Sequence, residues 1–143
     1  MVDLTAKRRK ELEKIYRDVR YDVFLPDKTM TIRVGEVHPV LDDFLSGENA
    51  PGWVFITACN PAAGHDSDEI NDERMEKLRK KLLDRGFDFF GGAGRGTENH
   101  PDEPSFWVLG MSEDEGLKCA EEFGQAAIVA GEKGKRAKLL FTF

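Results

Sequence analysis

The segment from Trp53 to Pro61 constrains the fold more than any other part of the sequence. It reads Trp-Val-Phe-Ile-Thr-Ala-Cys-Asn-Pro. The near-continuous apolar run from Trp53 to Cys59 is typical of a β-strand covered on both faces, since a half-exposed strand alternates apolar and polar residues. Pro61 has no N–H to give to a sheet, so we expect Asn60 and Pro61 to stop the strand.

The rest of the chain predicts helices and hairpins around that strand. Helical spacing or capping signals indicate helices over about 1–19, 39–47, 69–85 and 112–123, and apolar alternation or short apolar runs indicate strands over 21–25, 30–34, 53–59, 87–90, 105–110, 126–130 and 137–143. We expect Asp66 with Glu69, and Ser112 with Glu115, to cap two of the helices. Gly86 is expected to end one of them.

The predicted order is α-β-β-α-β-α-β-β-α-β-β, which favours the α+β class. We therefore predict a single domain over residues 1–143, with a mixed or antiparallel sheet and about four helices. The pattern leaves open whether the N-terminal helix over residues 1–19 packs on the core or lies at its periphery.

Composition excludes several classes of protein. A net charge of −6 disfavours general nucleic-acid binding, which usually needs a basic face. The apolar runs are shorter than the roughly 20 residues of a membrane span, and the charged N-terminus does not resemble a signal peptide. Cys59 and Cys119 have no CxxC spacing and lie in apolar settings, so we expect buried thiols in a cytoplasmic protein.

Residues 91–96 form a glycine-rich segment, Gly-Gly-Ala-Gly-Arg-Gly. It does not match G-x-G-x-x-G, and it lacks the Gly-Lys-Ser/Thr ending of a P-loop. We interpret it as a turn between strands. Arg95 within it could still meet an anionic ligand, because glycine lets the backbone approach closely.

Two loops carry histidine together with acidic residues. They contain His65, Asp66 and Asp68 in one loop, and His100, Asp102 and Glu103 in the other. Their spacing is not diagnostic of a metal site, so we predict no metal and no cofactor. Cys59 at a strand end, with His65 or His100 as its base, would suit a thiol nucleophile, but a structural cysteine is the simpler interpretation.

Polar residues near the buried strand are the stronger signal. Thr57 and Asn60 follow the strand, and helical phase places Asn71 and Arg74 on or beside the apolar stripe of the next helix. A charge close to the core needs a partner, which Glu98, Glu103 or a ligand anion could supply for Arg74. The set could equally form a structural network that binds nothing.

The chain resembles the uncharacterised family known as domain of unknown function 3293. The resemblance rests on Thr57-Ala58-Cys59-Asn60-Pro61, on Asn71-x-x-Arg74-x-x-x-Leu78, on the glycine-rich segment, on Glu103-Pro104-Ser105-Phe106 and on Phe123-Gly124-Gln125-Ala126-Ala127-Ile128. We expect the resemblance to extend from about residue 21 to residue 140, which is nearly the whole chain. The resemblance brings no activity with it. It implies only that these polar positions belong to a shared pattern, and it adds Glu103, Ser105 and Gln125 to the candidates.

Our first hypothesis is a polar pocket for a small anionic or nucleotide-like ligand. Arg74 and Arg95 would hold the anion, while Asn60, Asn71 and Gln125 would orient the ligand. The alternative is a non-enzymatic interaction or regulatory module, in which a sheet edge pairs with a partner or a second copy of the chain. An enzyme that uses Cys59 or an acid pair is the third hypothesis.

Overall fold

The computed structural model of the protein describes residues 4–61, 64–96 and 102–143. Its elements are α1 (Leu4–Asp18), β1 (Arg20–Phe24), β2 (Thr29–Ile32), α2 (Pro39–Gly47), β3 (Gly52–Ile56), α3 (Asp68–Asp84), β4 (Phe89–Arg95), β5 (Glu103–Leu109), α4 (Glu113–Glu122), β6 (Ala127–Glu132) and β7 (Lys138–Phe141). The predicted α+β class and element order are confirmed. No helix in the described part of the chain is long and apolar enough to cross a bilayer.

All seven strands belong to one antiparallel sheet in the order β2-β1-β4-β5-β3-β6-β7. Strand β3 lies inside the sheet between β5 and β6. Its residues from Trp53 to Ile56 are all buried. The prediction of a strand covered on both faces is therefore confirmed.

The two faces of the sheet carry separate cores. Helices α3 and α4 cover one face, where their residues join Val54 and Ile56; these helix residues are Met75, Leu78, Leu82, Cys119 and Ala120. Helix α2 covers the other face, where Leu41 and Leu45 join Trp53 and Phe55. Period-two alternation along β3 thus sends successive side chains into different cores.

The sheet curls around the face that carries α2. Six strand spacings of about 4.8 Å would put the edges of a flat sheet about 29 Å apart. Yet the Gly35 N–H donates to the Ala137 carbonyl at 2.8 Å, and the Ala137 N–H donates to the Glu36 carbonyl at 2.9 Å. These residues lie only a few positions beyond β2 and before β7, so the edges must approach each other. The face of α2 is consequently concave.

Strand β3 is shorter than predicted, because it ends at Ile56 and not at Cys59. The hydroxyl of Thr57 donates to the Pro104 carbonyl at 2.7 Å and accepts the Cys59 N–H at 3.1 Å. A side chain thereby takes the place of ladder partners, which is a common way for threonine to end regular structure.

The predicted turn over residues 91–96 is wrong, because most of this segment belongs to β4. A Cβ added at Gly92 would lie 2.4 Å from the backbone oxygen of Asp22 and 3.0 Å from the Phe55 ring. The strand therefore needs glycine there for close packing against its neighbours. The low strand propensity of glycine is overridden by the two strands that flank β4.

The capping predictions had mixed outcomes. Ser112 and Glu115 form the predicted capping box of α4, and Gly86 has the expected positive φ after α3. Asp66 was the wrong choice for α3, because Ser67 is the N-cap and accepts the Ile70 N–H. The last strand is also shorter than predicted and spans Lys138–Phe141.

Candidate functional site

A cavity of about 210 Å³ lies between α1 and the concave face of the sheet. Apolar and aromatic side chains form much of its wall: Leu12, Ile15, Tyr16, Val19, Tyr21, Phe55, Ala127, Ile128, Val129 and Leu139. The polar or small lining residues are Arg8, Thr57, Asn60, Gly64, His65, Gly94, Gly96, Glu103, Ser105 and Gln125. Four of the seven candidates from the sequence are among them.

Small residues on the sheet leave room for this cavity. In β4, Gly94 pairs with Tyr21 of β1 and with Glu103 of β5. A Cβ added at Gly94 would come no closer than 3.9 Å to Val19 and 4.0 Å to Tyr21. Ser105 on the neighbouring strand lines the same space. A glycine within a strand often marks the approach of a ligand, and here it leaves one side of a cavity open.

Helix α1 covers the cavity on the side opposite the sheet, and we call this side the roof. Leu12 is only 3% exposed, and the Tyr21 hydroxyl donates to the Tyr16 carbonyl at 2.6 Å. The Arg9 guanidinium lies 5.0 Å from the centre of the Phe141 ring. The helix thus packs against strands at both sides of the cavity.

Asn60 is the centre of the polar end of the cavity. It is 8% exposed and has a φ of 47°, a conformation that asparagine tolerates better than most residues. Its N–H donates to Asn71 Oδ1 at 2.9 Å, and its Oδ1 accepts from Asn71 Nδ2 at 2.9 Å. The Asp66 N–H donates to the same Oδ1 at 2.9 Å, and Asn60 Nδ2 donates to Glu103 Oε2 at 2.8 Å.

Asn71 and Arg74 stand behind Asn60 and are not among the described residues that line the cavity. Asn71 braces the Asn60 loop through the hydrogen bonds above. Arg74 forms an ion pair with Asp66. Glu103 bonds to Asn60, and Glu98, the other suggested partner, lies outside the described residues.

Arg95 is also paired within the protein. Its Nε lies 2.9 Å from Asp22 Oδ2, and its Nη1 lies 3.0 Å from Asp102 Oδ2. Burial alone would raise the pKa of Asp22, but hydrogen bonds from Thr31 and Arg95 outweigh burial and lower that pKa. Arg95 is absent from the described lining of the cavity.

Gln125 and Ser105 complete the polar end. Gln125 Nε2 donates to the Cys59 carbonyl at 2.9 Å and to the Phe123 carbonyl at 3.4 Å. The Ser105 hydroxyl donates to the Glu103 carbonyl at 3.1 Å. Both side chains are held by backbone groups and are therefore preorganised.

The acidic Glu103 influences the neighbouring phenols. Burial raises the pKa of Tyr16, and the charge of Glu103 raises it further. The pKa of Tyr21 is also raised, chiefly by burial, then by Tyr16 and Glu103. Arg8, which also lines the cavity, acts in the opposite direction and lowers the pKa of Tyr16.

Cys59 has the features of a structural thiol. It is 1% exposed, its sulfur lies 3.7 Å from the Pro104 carbonyl, and burial raises the pKa of the thiol. A raised pKa disfavours the thiolate that a nucleophile needs. Of its suggested bases, His65 lines the cavity and His100 lies outside the described residues. Within residues 4–61, 64–96 and 102–143, no group of three His, Cys, Asp or Glu side chains could hold a metal ion.

Sequence reasoning missed the roof and the open wall of the cavity. The sequence from residue 12 to residue 19 has apolar residues at helical spacing, namely Leu12, Ile15, Tyr16 and Val19. That spacing does not distinguish a residue packed in the core from one that lines a cavity. Gly94 was assigned to a turn, although a single glycine flanked by strand partners could have indicated a close approach.

A family model described as "Protein of unknown function (DUF3293)" matches residues 56–128, which are more than half of the chain. The matched segment runs from the end of β3 into β6 and contains all seven candidate residues from the sequence. No curated protein and no solved structure matches the chain.

Proposed function

The chain belongs to the DUF3293 family, and for this member we propose that it binds a small molecule in the cavity beneath α1. The observation that carries the proposal is the cavity itself, which combines apolar walls with a cluster of fixed polar groups at one end. Ligand sites usually have this composition. The volume of about 210 Å³ lies below the range of roughly 300–1,000 Å³ typical of drug-sized ligands, so the ligand would be small.

The polar groups support binding because they need no rearrangement. Asn60 is held by Asn71 and Asp66, and Gln125 is held by two backbone carbonyls. Groups that are already oriented lose little conformational freedom when a ligand arrives. The structural network and the ligand site, which were alternatives at the level of sequence, are therefore compatible. Asn71 bonds to Asn60 and Arg74 pairs with Asp66, which holds the loop in place. Asn60 and Gln125 line the cavity.

The anionic or nucleotide-like ligand expected from the sequence has limited support. Arg74 and Arg95, which were to hold the anion, are each paired with aspartate away from the cavity. Arg8 is the one arginine or lysine among the described lining residues. The side chain of Arg8 is half exposed and lies 3.7 Å from Glu11.

The alternative, an interaction module that uses a free sheet edge, is favoured less. The segments beside the two edge strands are tied by the hydrogen bonds between Gly35, Glu36 and Ala137. These bonds occupy backbone groups next to the edge strands that a partner strand would otherwise use.

A cavity-filling variant tests the proposal. Gly94→Val adds a side chain beside the cavity, and valine suits a strand. Gly91→Val is the matched control: it changes the same strand in the same way, but its Cβ would meet only the Phe24 ring at 3.9 Å. Metabolites that raise the melting temperature of the wild type should act on Gly91→Val and lose their effect on Gly94→Val. A wild type that no metabolite stabilises, or equal binding by both variants, would refute the proposal.

A further inference from the structure

We propose that the cavity selects a small organic cation, an amine or amidine on an apolar body. Its N–H groups would donate to the polar wall, by which we mean Thr57, Glu103, Ser105 and Gln125. This ligand class rests on the proposed function, since it describes what that cavity would bind. Its charge is opposite to that of the anion expected from the sequence.

The two hydroxyl groups of the polar wall, those of Thr57 and Ser105, donate their hydrogen bonds to backbone carbonyls within the protein. Thr57 Oγ1 lies 2.7 Å from the Pro104 carbonyl, and Ser105 Oγ lies 3.1 Å from the Glu103 carbonyl. A carbonyl oxygen can only accept, so each hydroxyl must be the donor in these bonds. What the hydroxyl of Ser105 has left to offer a ligand is a lone pair.

The carboxamide of Gln125 is oriented in the same way. Its Nε2 contacts two carbonyl oxygens, those of Cys59 and Phe123, which fixes the assignment of nitrogen and oxygen. Both N–H groups are thereby directed at the backbone. The opposite atom, Oε1, accepts no hydrogen bond from any described residue, and Gln125 lines the cavity.

Glu103 adds a carboxylate to these acceptors. It lines the cavity, and one of its oxygens accepts from Asn60 Nδ2 at 2.8 Å. A ligand carboxylate or phosphate beside Glu103, Ser105 Oγ and Gln125 Oε1 would face oxygen lone pairs, whereas an ammonium or amidinium group would form charge-assisted hydrogen bonds there. Arg8, the one arginine or lysine among the described lining residues, is half exposed and lies 3.7 Å from Glu11.

The rest of the wall suits the body of such a ligand. Leu12 and Leu139 are apolar, and the rings of Tyr16, Tyr21 and Phe55 also line the cavity. Aromatic rings attract cations through their negative faces as well as burying apolar surface.

The test uses small ring compounds in three forms that share the same ring. One form carries an amine or amidine and is a cation, the second carries an alcohol and is neutral, and the third carries a carboxylate and is an anion. Binding to the full chain is followed by chemical-shift titration, with the amides of Gly64, Gly94 and Gly96 as reporters at the cavity. We expect the amines and amidines to bind most tightly. We expect Glu103→Gln to weaken them about 10- to 100-fold, as loss of a charged hydrogen bond does.

Two controls separate the ligand class from folding and from net charge. In Glu103→Gln the new carboxamide can still accept from Asn60, and its thermal unfolding reports whether the fold is intact. Glu48→Gln removes the same charge at an exposed site after α2 and should leave binding unchanged.

Each failure has its own signature. Carboxylates that bind as tightly as the amines, or amines whose affinity Glu103→Gln leaves within about twofold, would overturn the ligand class while the cavity keeps its function. Absence of binding by all three charge states would overturn the proposed function, and the ligand class with it.

Discussion

Replacing Gly92 by alanine is expected to destabilise the protein, whereas the same replacement at Gly94, two residues further along β4, is not. At Gly92 the new Cβ would lie 2.4 Å from the backbone oxygen of Asp22 and 3.0 Å from the Phe55 ring. The Asp22 oxygen belongs to the backbone of β1, and Phe55 is only 4% exposed, so the strands must shift. At Gly94 the nearest atoms are 3.9 and 4.0 Å away, which is ordinary van der Waals contact.

The magnitude follows from two opposing effects. Overpacking costs about 1–3 kcal/mol, and replacing glycine by alanine stabilises by about 0.4–1 kcal/mol through the unfolded chain. The second effect is common to Gly92→Ala and Gly94→Ala and cancels between them. The difference between the two variants therefore isolates the packing effect, at about 1–3 kcal/mol.

Urea unfolding of both variants, followed by circular dichroism, measures this difference directly. Melting temperatures provide a second estimate, at about 2–4 °C per kcal/mol for a chain of this size. If residues 91–96 formed a flexible turn, both substitutions would have similar small effects. Equal stabilities of Gly92→Ala and Gly94→Ala would thus refute the strand and the packing argument together.

Three further predictions concern residues around the site. Asp22→Asn should destabilise the protein at neutral pH, and the difference should shrink as the pH falls below about 4, because a lowered folded-state pKa contributes stability that is lost when the carboxylate protonates; a difference in unfolding free energy that does not vary with pH would contradict the Arg95 pairing. Asn71→Ala should cost about 1–2 kcal/mol in urea unfolding, since Asn60 loses two hydrogen bonds; a loss within the error of the measurement would show that Asn71 does not brace the loop. Cys59 should resist thiol alkylation until urea unfolds the chain, and modification in the native protein would show that its burial is wrong.

Local signals predicted those elements whose causes are local. The capping box needs only Ser112 and Glu115 at the right spacing, and both are present within one turn of chain. Gly86 ends α3 because a left-handed residue there costs glycine little. Strand β3 was recognisable because burial on both faces forces a continuous apolar run.

The sequence identified the polar candidates, but it did not show which of them line the cavity and which of them only hold those residues in place. Helical phase brought Asn71 close to Asn60, which depends on one helix and the preceding loop. It could not reveal that Arg74 pairs with Asp66, because the sequence offered Glu98, Glu103 and a ligand anion as partners instead. The pairing of Arg95 with Asp22 joins residues 73 positions apart, which only the sheet brings together.

The sequence by itself determined the α+β class, the order of the elements and the buried central strand, because propensities, caps and apolar periodicity act over a few residues. The tertiary structure alone decided that the glycine-rich segment is a strand and that a cavity lies beside it. Glycine has no side chain to signal its environment, so the neighbours on β1 and β5 determine its conformation. The space at Gly94 exists only because α1 and the curled sheet meet around it.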